Sequence, residues 1–132
     1  MRESILILLI NSKKQILLAL RDNKSTIVYP NHWSGIGGGI EENETVMEAL
    51  YREIKEEISC RVHNIKLLGE MIDSTVKCKV IIFKGDLHEE LENINLYEGQ
   101  KLGLFYFKEL NDLLIPPPLK DFIFKNKENV FN

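Results

Sequence analysis

Three glutamates near the middle of the chain have a spacing that could support metal-dependent chemistry. Glu53, Glu56 and Glu57 are related as i, i+3 and i+4, so on an α-helix their carboxylates converge on one face. Carboxylates this close repel one another, and the negative end of the helix dipole disfavours them further. Hard oxygen ligands on one face suit Mg²⁺, with Mn²⁺ as a substitute. The spacing therefore predicts a divalent-metal site.

The element that positions these glutamates is predicted to be a helix from Thr45 to about Ile58. Thr45, followed three residues later by Glu48, has the form of a capping box, in which each side chain satisfies a free backbone N–H of the first turn. On a helical wheel the apolar residues form one core-facing arc. Its members are Val46, Ala49, Leu50, Ile54 and Ile58.

The position of the glutamates on this wheel separates two interpretations of the helix. Glu53 and Glu57 fall inside the apolar arc and Glu56 falls at its edge. A Glu-rich helix that is merely solvated, with Arg52 paired to Glu56 at i, i+4, is the alternative. The wheel favours the metal-binding interpretation, because solvated carboxylates belong on the opposite face.

A glycine run upstream of the helix adds a second signal. Alone, Gly37-Gly38-Gly39 would indicate a turn. Together with the helix it forms a longer pattern: Gly38, five residues, Glu44, seven residues, then Arg52-Glu53-Ile54-Lys55-Glu56-Glu57. This pattern resembles the Nudix box, the signature of the Nudix hydrolases.

Four positions depart from the usual box: Ser59 replaces glycine, Cys60 an aliphatic residue, Asn43 a glycine and Ile36 a proline. Asn43 tolerates a left-handed backbone almost as well as glycine, whereas Ser59 costs more if the helix ends with a positive φ. Every carboxylate of the box is present. The departures therefore bear on efficiency more than on the chemistry itself.

The resemblance implies an α+β fold, an αβα sandwich around a mixed sheet, occupying residues 1–132 as a single domain. It implies Mg²⁺-dependent hydrolysis of a nucleoside diphosphate linked to another group, a small-molecule nucleotide substrate. It also implies a metal site made by Glu56 and Glu57, with the Gly37 carbonyl as an additional ligand and Glu53 as a ligand or general base.

Further roles follow from the same resemblance. Arg52 would orient the catalytic carboxylates, and Glu44, with Gly38, would hold the loop and the helix together. Arg21 and Trp33, which precede the box, are expected to contact the substrate. Trp33, Tyr97, Phe105 or Tyr106 could stack on a base, and core packing is the alternative for an aromatic in a strand.

A carboxylate outside the box is also expected to reach the site, because several Nudix hydrolases supply one from a later loop. The loop between Leu87 and Leu102 offers Glu89, Glu90, Glu92 and Glu98. The first three lie in an acidic run typical of a solvated surface. Glu98 lies just before a predicted strand and next to Gly99, so it is predicted to be a metal ligand or base, and an exposed loop charge is the alternative.

The substrate is less constrained. A short chain resembles the smaller relatives that split nucleoside triphosphates into monophosphate and pyrophosphate. Hydrolysis of ADP-ribose or a nucleotide sugar is the alternative within the family. A catalytically silent module that binds a nucleotide and regulates a partner is another, although it would be expected to have a broken box. A plain interaction domain would find support only in the apolar stretch from Leu113 to Phe124.

Composition narrows the classes of function and location further. The net charge is −3 for 132 residues, which disfavours a nucleic acid polymer as partner. The apolar run from Ile5 to Ile10 is too short to span a membrane. Cys60 and Cys78 do not form a disulfide framework, so a cytoplasmic location is expected. The sequence does not decide between a monomer and a homodimer.

The remaining elements are predicted from apolar patterning and turn residues. The strands are Ser4–Ile10 and Gln15–Arg21, joined as a hairpin, followed by Val62–Ile72, Val76–Leu87 and Leu102–Phe107. Short helical segments are expected at Phe107–Leu110 and Leu119–Phe124. Loops are expected at Asp22–His32 and His88–Asn95.

Overall fold

The computed structural model describes residues 1–132 as one seven-stranded sheet with helices on both faces. The strands are β1 (Arg2–Ile10), β2 (Ile16–Leu20), β3 (Trp33–Ser34), β4 (Ile36–Gly39), β5 (Val62–Asp73), β6 (Cys78–Leu87) and β7 (Lys101–Phe105). The helices are α1 (Val46–Glu57), α2 (Pro117–Lys125) and α3 (Lys127–Phe131), and 3₁₀ segments lie at Leu91–Asn93 and Phe107–Asp112.

β1 is the centre of the sheet. It pairs in parallel with β6 and antiparallel with β2 and β4, so the sheet is mixed, as predicted. Successive side chains of a strand point to opposite faces. Ile5, Ile7 and Leu9 accordingly pack on the α1 side, whereas Leu8 and Ile10 pack on the side of α2 and α3. The result is the predicted αβα sandwich.

α1 begins at the predicted capping box, where the Thr45 hydroxyl accepts from the Glu48 N–H and the Glu48 carboxylate accepts from the Thr45 N–H. Ala49 and Leu50 are fully buried against the sheet. The helix stops at Glu57, and Ser59 has a φ of +46°. The departure at this position therefore lies in backbone that favours glycine.

The glycine run differs from a simple turn, because Ile36–Gly39 forms β4 and pairs with β1. A side chain on Gly37 would collide with the backbone carbonyl of Ile5. Only a residue without Cβ allows this approach. Helix α3 was not predicted, and it docks through buried Val130 and Phe131. No helix of the chain combines the length and the apolar character that crossing a bilayer would require.

Candidate functional site

Arg52 is the hub of the polar contacts around the start of the box. Its guanidinium donates to both carboxylate oxygens of Glu44, at 2.6 and 2.9 Å, and to the carbonyl of Gly39 at 2.9 Å. It also donates to Glu53 at 2.7 Å and to Glu56 at 3.3 Å. Bidentate pairing with a carboxylate fixes the plane of the guanidinium. Arg52 thereby ties β4, the following loop and α1 together.

The ionisation of this hub is stabilised by its own contacts. Hydrogen bonds from Arg52, and then from the Glu41 backbone N–H, lower the pKa of Glu44 to about 2. The same Glu44 contact raises the pKa of Arg52 above its ordinary value. Both groups are therefore charged at neutral pH, and the loop is held by an ion pair as well as by hydrogen bonds.

Glu53 lies on the buried side of α1, with 8% of its surface exposed. Gly38 is the backbone that faces it, because a Cβ on Gly38 would stand 2.6 Å from the Glu53 Oε1 atom. The glycine therefore makes room for the carboxylate. Arg52 supplies the compensating positive charge that a buried carboxylate needs.

Glu57 is half-buried, and its pKa is raised to about 8. Burial is the largest cause, followed by the negative charges of Glu53 and Glu98, while a hydrogen bond from the Gly37 backbone acts in the opposite direction. Carboxylates in close proximity raise one another's pKa in this way. The region around Glu57 therefore holds more negative charge than it can stabilise alone.

Glu98 reaches this region from outside the box. The Tyr97 N–H donates to the Glu57 carbonyl at 2.8 Å, which docks the loop on the end of α1. Gly99, which follows Glu98, has a φ of +104°, in the region that favours glycine. Glu98 and Glu57 line one small cleft, together with Arg21.

A larger cavity of about 270 Å³ adjoins this cleft. Arg21, Gly35 and Gly37 line both spaces, so the two are continuous along β4. At its far side the cavity is lined by Asp73 and Tyr29. A molecule several groups long could therefore extend from the carboxylates of α1 into the cavity.

The structure brings the predicted residues together in two neighbouring groups that Glu53 joins. One group surrounds the guanidinium of Arg52: Gly38, Glu44, Glu53 and Glu56. The other lines the cleft: Arg21, Gly37, Glu57 and Glu98. No three histidine, cysteine, aspartate or glutamate side chains already surround a common position fit for a metal ion. Trp33 lines neither space and instead packs edge-on against Phe105, at 4.9 Å between ring centroids. Its predicted substrate contact stays a prediction.

Sequence reasoning missed Asp73 and Tyr29 as residues of the cavity. One signal was available for Asp73, since strand alternation places it on the same face of β5 as the apolar Met71. Tyr29 lies in a loop whose path the sequence does not indicate. The Tyr29 hydroxyl donates to Asp73 at 2.9 Å.

Comparison with known proteins agrees with this geometry. The family model described as the NUDIX domain matches residues 1–124. The chain belongs to the Nudix family. The resemblance seen in the box thus extends over nearly the whole chain, and the αβα sandwich with its mixed sheet is the Nudix fold.

Among curated proteins the chain is similar to Nudix relatives named RNA pyrophosphohydrolase. It is 32% identical to the protein from Sulfurovum sp. (strain NBC37-1) over 108 residues, 76% of this chain and 62% of that relative. It is 38% identical to the protein from Marinomonas sp. (strain MWYL1) over 69 residues, 52% of this chain and 39% of that relative. The chain thus spans between about two fifths and three fifths of the length of these relatives.

Solved structures share the fold at lower identity. The MutT protein from Methanosarcina mazei Go1 superposes with a TM-score of 0.77 at 22% identity, covering 97% of this chain and 94% of that one. The NUDIX domain of Shewanella oneidensis NrtR, solved with ADP ribose, superposes with a TM-score of 0.76 at 14% identity, covering 96% and 86%. At these identities the likeness concerns the fold alone.

Proposed function

We propose that the protein is a Mg²⁺-dependent pyrophosphohydrolase that cleaves a diphosphate linkage in a nucleotide substrate. The observation that carries the proposal is the crowding of Glu53, Glu57 and Glu98 beside a cleft that continues into a larger cavity. Phosphoryl transfer to water needs charge stabilisation and a proton acceptor at one place. Membership of the Nudix family supports the same reaction class.

The residues present fit a divalent metal. Carboxylate oxygens are the hard ligands that Mg²⁺ and Mn²⁺ prefer, and burial, followed by the negative charges of Glu53 and Glu98, raises the pKa of Glu57. Glu53, Glu56, Glu57 and Glu98 would hold the metal, with the carbonyl of Gly37 as an additional ligand. When bound, the metal would neutralise phosphate oxygens and lower the pKa of the attacking water.

The chain's own residues have distinct roles in this proposal. Arg52 is a positioning residue that holds Glu53 through a 2.7 Å hydrogen bond, and Glu44 fixes Arg52 in turn. One carboxylate among Glu53, Glu57 and Glu98 accepts the proton as the water oxygen bonds to phosphorus. The bond from phosphorus to the bridging oxygen breaks, and the leaving group departs.

For the substrate we propose a nucleoside triphosphate, which would give a monophosphate and pyrophosphate. The continuity of cleft and cavity supports it, because phosphates beside Glu57 would place the nucleoside in the cavity. ADP-ribose or a nucleotide sugar is the alternative, favoured by the ADP ribose complex of the NrtR domain. The 5′ end of an RNA is a second candidate, favoured by the names of the curated relatives.

The test is a substrate screen with purified protein and Mg²⁺. Nucleoside triphosphates, ADP-ribose, nucleotide sugars and a 5′-triphosphate RNA oligonucleotide are compared, and the products are identified by mass spectrometry. Monophosphate with pyrophosphate is the expected result. Release of single phosphate would contradict the proposed bond cleavage. Nucleotide binding without turnover of any compound would instead identify a regulatory module.

We further propose a cytoplasmic location. Both Cys60 and Cys78 are free thiols, which fits a reducing compartment. Fractionation of cells that produce the protein tests this, with enrichment in the membrane fraction as the contrary result.

A further inference from the structure

We propose that Asp73 is the specificity-determining residue of the cavity and accepts a hydrogen bond from an amino group on the base of the substrate. This inference rests on the proposed function, because it requires a nucleotide whose phosphates lie at the carboxylate cluster. It adds the identity of the group that is recognised and the residue that recognises it.

The first observation is the state of the Asp73 side chain. Asp73 ends β5 with 3% of its surface exposed, and it is the one acidic residue that lines the cavity. Tyr29 donates its hydroxyl to Oδ2 at 2.9 Å, and the Thr75 N–H donates to Oδ1 at 3.1 Å. Each carboxylate oxygen can accept two hydrogen bonds. Both oxygens therefore keep a free acceptor position.

The second observation is that Asp73 has no salt-bridge partner; its two partners, Tyr29 and Thr75, are neutral hydrogen-bond donors. A buried carboxylate without a cation is costly unless donors satisfy it. The Tyr29 and Thr75 contacts satisfy part of this need and fix the orientation of the group. A ligand that brings further donors would complete it.

The third observation is the chemistry of the surrounding walls. Apolar side chains line part of the cavity, namely Leu6, Met71, Val80 and Leu119, and Arg2 and Ser4 are among its polar lining residues. Such walls suit the apolar faces of a flat ring, whose polar groups project from its edge. A carboxylate also repels phosphate, so the charged end of the substrate must point the other way.

The fourth observation supplies that direction. Arg21 lies where the cavity meets the cleft of Glu57 and Glu98, and an arginine there is suited to phosphate. A nucleotide would then lie with its phosphates beside Arg21 and its base against Asp73. Because a carboxylate only accepts hydrogen bonds, the base must offer N–H donors at its edge, and an exocyclic amino group offers two where a ring N–H offers one.

The experiment measures binding of nucleoside monophosphates in EDTA by calorimetry, so that metal and turnover play no part. Three pairs differ at the amino group: guanosine with inosine, adenosine with purine riboside, and cytidine with uridine. The wild-type protein is expected to bind the amino member at least about tenfold more tightly in one pair or more. Asp73→Asn is expected to reduce that ratio to within about twofold.

Two further variants separate recognition from a structural role. Asp86→Asn makes the same chemical change at a residue that lines neither the cavity nor the cleft, and the ratio should stay at the wild-type value. Tyr29→Phe leaves the carboxylate but loosens it, so the ratio should fall severalfold. This variant keeps the inference testable if Asp73→Asn does not fold.

Three results would overturn the inference: wild-type protein without preference in any pair, an Asp73→Asn variant that keeps the wild-type ratio, or a Tyr29→Phe variant whose only change is a lower melting temperature. These failures are distinct from failure of the proposed function. Normal turnover of triphosphates without a preference for the amino member of any pair would contradict only the role of Asp73. Amino-selective binding by a protein that hydrolyses none of the nucleotides would contradict only the hydrolase proposal.

Discussion

Glu57 is the side chain at which burial and neighbouring charge act most strongly in the same direction. We predict that Glu57→Gln lowers turnover at least about 100-fold, because it removes a ligand charge or a base while keeping the shape of the side chain. Circular dichroism should show an unchanged fold. Glu42→Gln, at an exposed position before the helix, is the matched control, and near wild-type turnover of Glu57→Gln would contradict the proposed mechanism.

The same variant should change how stability without metal depends on pH. The pKa of Glu57 rises from 4.5 to about 8 on folding, so the folded state binds this proton more tightly than the unfolded chain. The resulting stabilisation is complete below pH 4.5 and is lost as pH rises towards 8. In EDTA, the melting temperature of the wild type should therefore fall relative to that of Glu57→Gln as the pH rises from 5 to 8. Parallel pH profiles would be the contrary outcome.

Glu98 is tested by comparison within its own loop. The structure places Glu98 in the cleft of Glu57, and Glu90 lines neither that cleft nor the cavity. Glu98→Gln should weaken Mg²⁺ binding or reduce turnover roughly tenfold or more, whereas Glu90→Gln should behave as wild type. Metal titration and steady-state kinetics measure both. If Glu90 alone matters, or neither does, the assignment is wrong.

At the scale of elements, β4 approaches the Glu53 side chain of α1 closely because Gly38 has no Cβ. We predict that Gly38→Ala reduces turnover severalfold or more, because the added methyl would stand 2.6 Å from the Glu53 carboxylate and displace it from Arg52. Gly39→Ala is the matched control in the same strand, since its Cβ would meet nothing within 4 Å. Equal losses in the two variants would mean that β4 itself, and not the Glu53 contact, is disturbed.

Elements set by local pattern were predictable from the sequence, and elements set by pairing partners were not. The capping box, the buried face of α1 and the convergence of Glu53 with Glu57 follow from helical spacing, which needs no knowledge of the rest of the chain. Strand β4 was missed because glycine has low strand propensity, and its place depends on close approach to β1. α3 is short and gains its order by docking.

The cavity was unpredictable for the same reason. Asp73 enters it only because β5 pairs with β6 and because the loop carrying Tyr29 folds back over the sheet. Neither event leaves a local pattern. The spacing of the glutamates therefore predicted a divalent-metal site, while the residues that would choose a substrate had to await the three-dimensional structure.

For the whole molecule, a carboxylate cluster that is assembled only in the folded state should couple metal binding to stability. We predict that Mg²⁺ at about 5–10 mM raises the melting temperature by about 3 °C or more, because the metal binds the folded state and not the unfolded chain. NaCl at equal ionic strength controls for screening. Glu57→Gln should lose most of the shift, and an identical shift in that variant would place the metal elsewhere.

The parallel pairing of β1 with β6 also bears on how the chain emerges from the ribosome. Each residue of β1 faces a partner far along the chain, from Arg2 opposite Cys78 to Ile10 opposite Asp86. At ~5–20 residues per second, several seconds separate the synthesis of the two strands. Meanwhile β2 and β4 are available to cover the other edge of β1.

A nascent chain should therefore assemble the glutamate-bearing helix on a partial sheet first, while an apolar strand edge stays open to aggregation or to chaperones. The wall that bears Asp73 forms only after β5 and β6 have been synthesised and have paired. Ribosome-arrested chains ending before β6 should accordingly be captured by chaperones, and chains extended well beyond Leu87 should not.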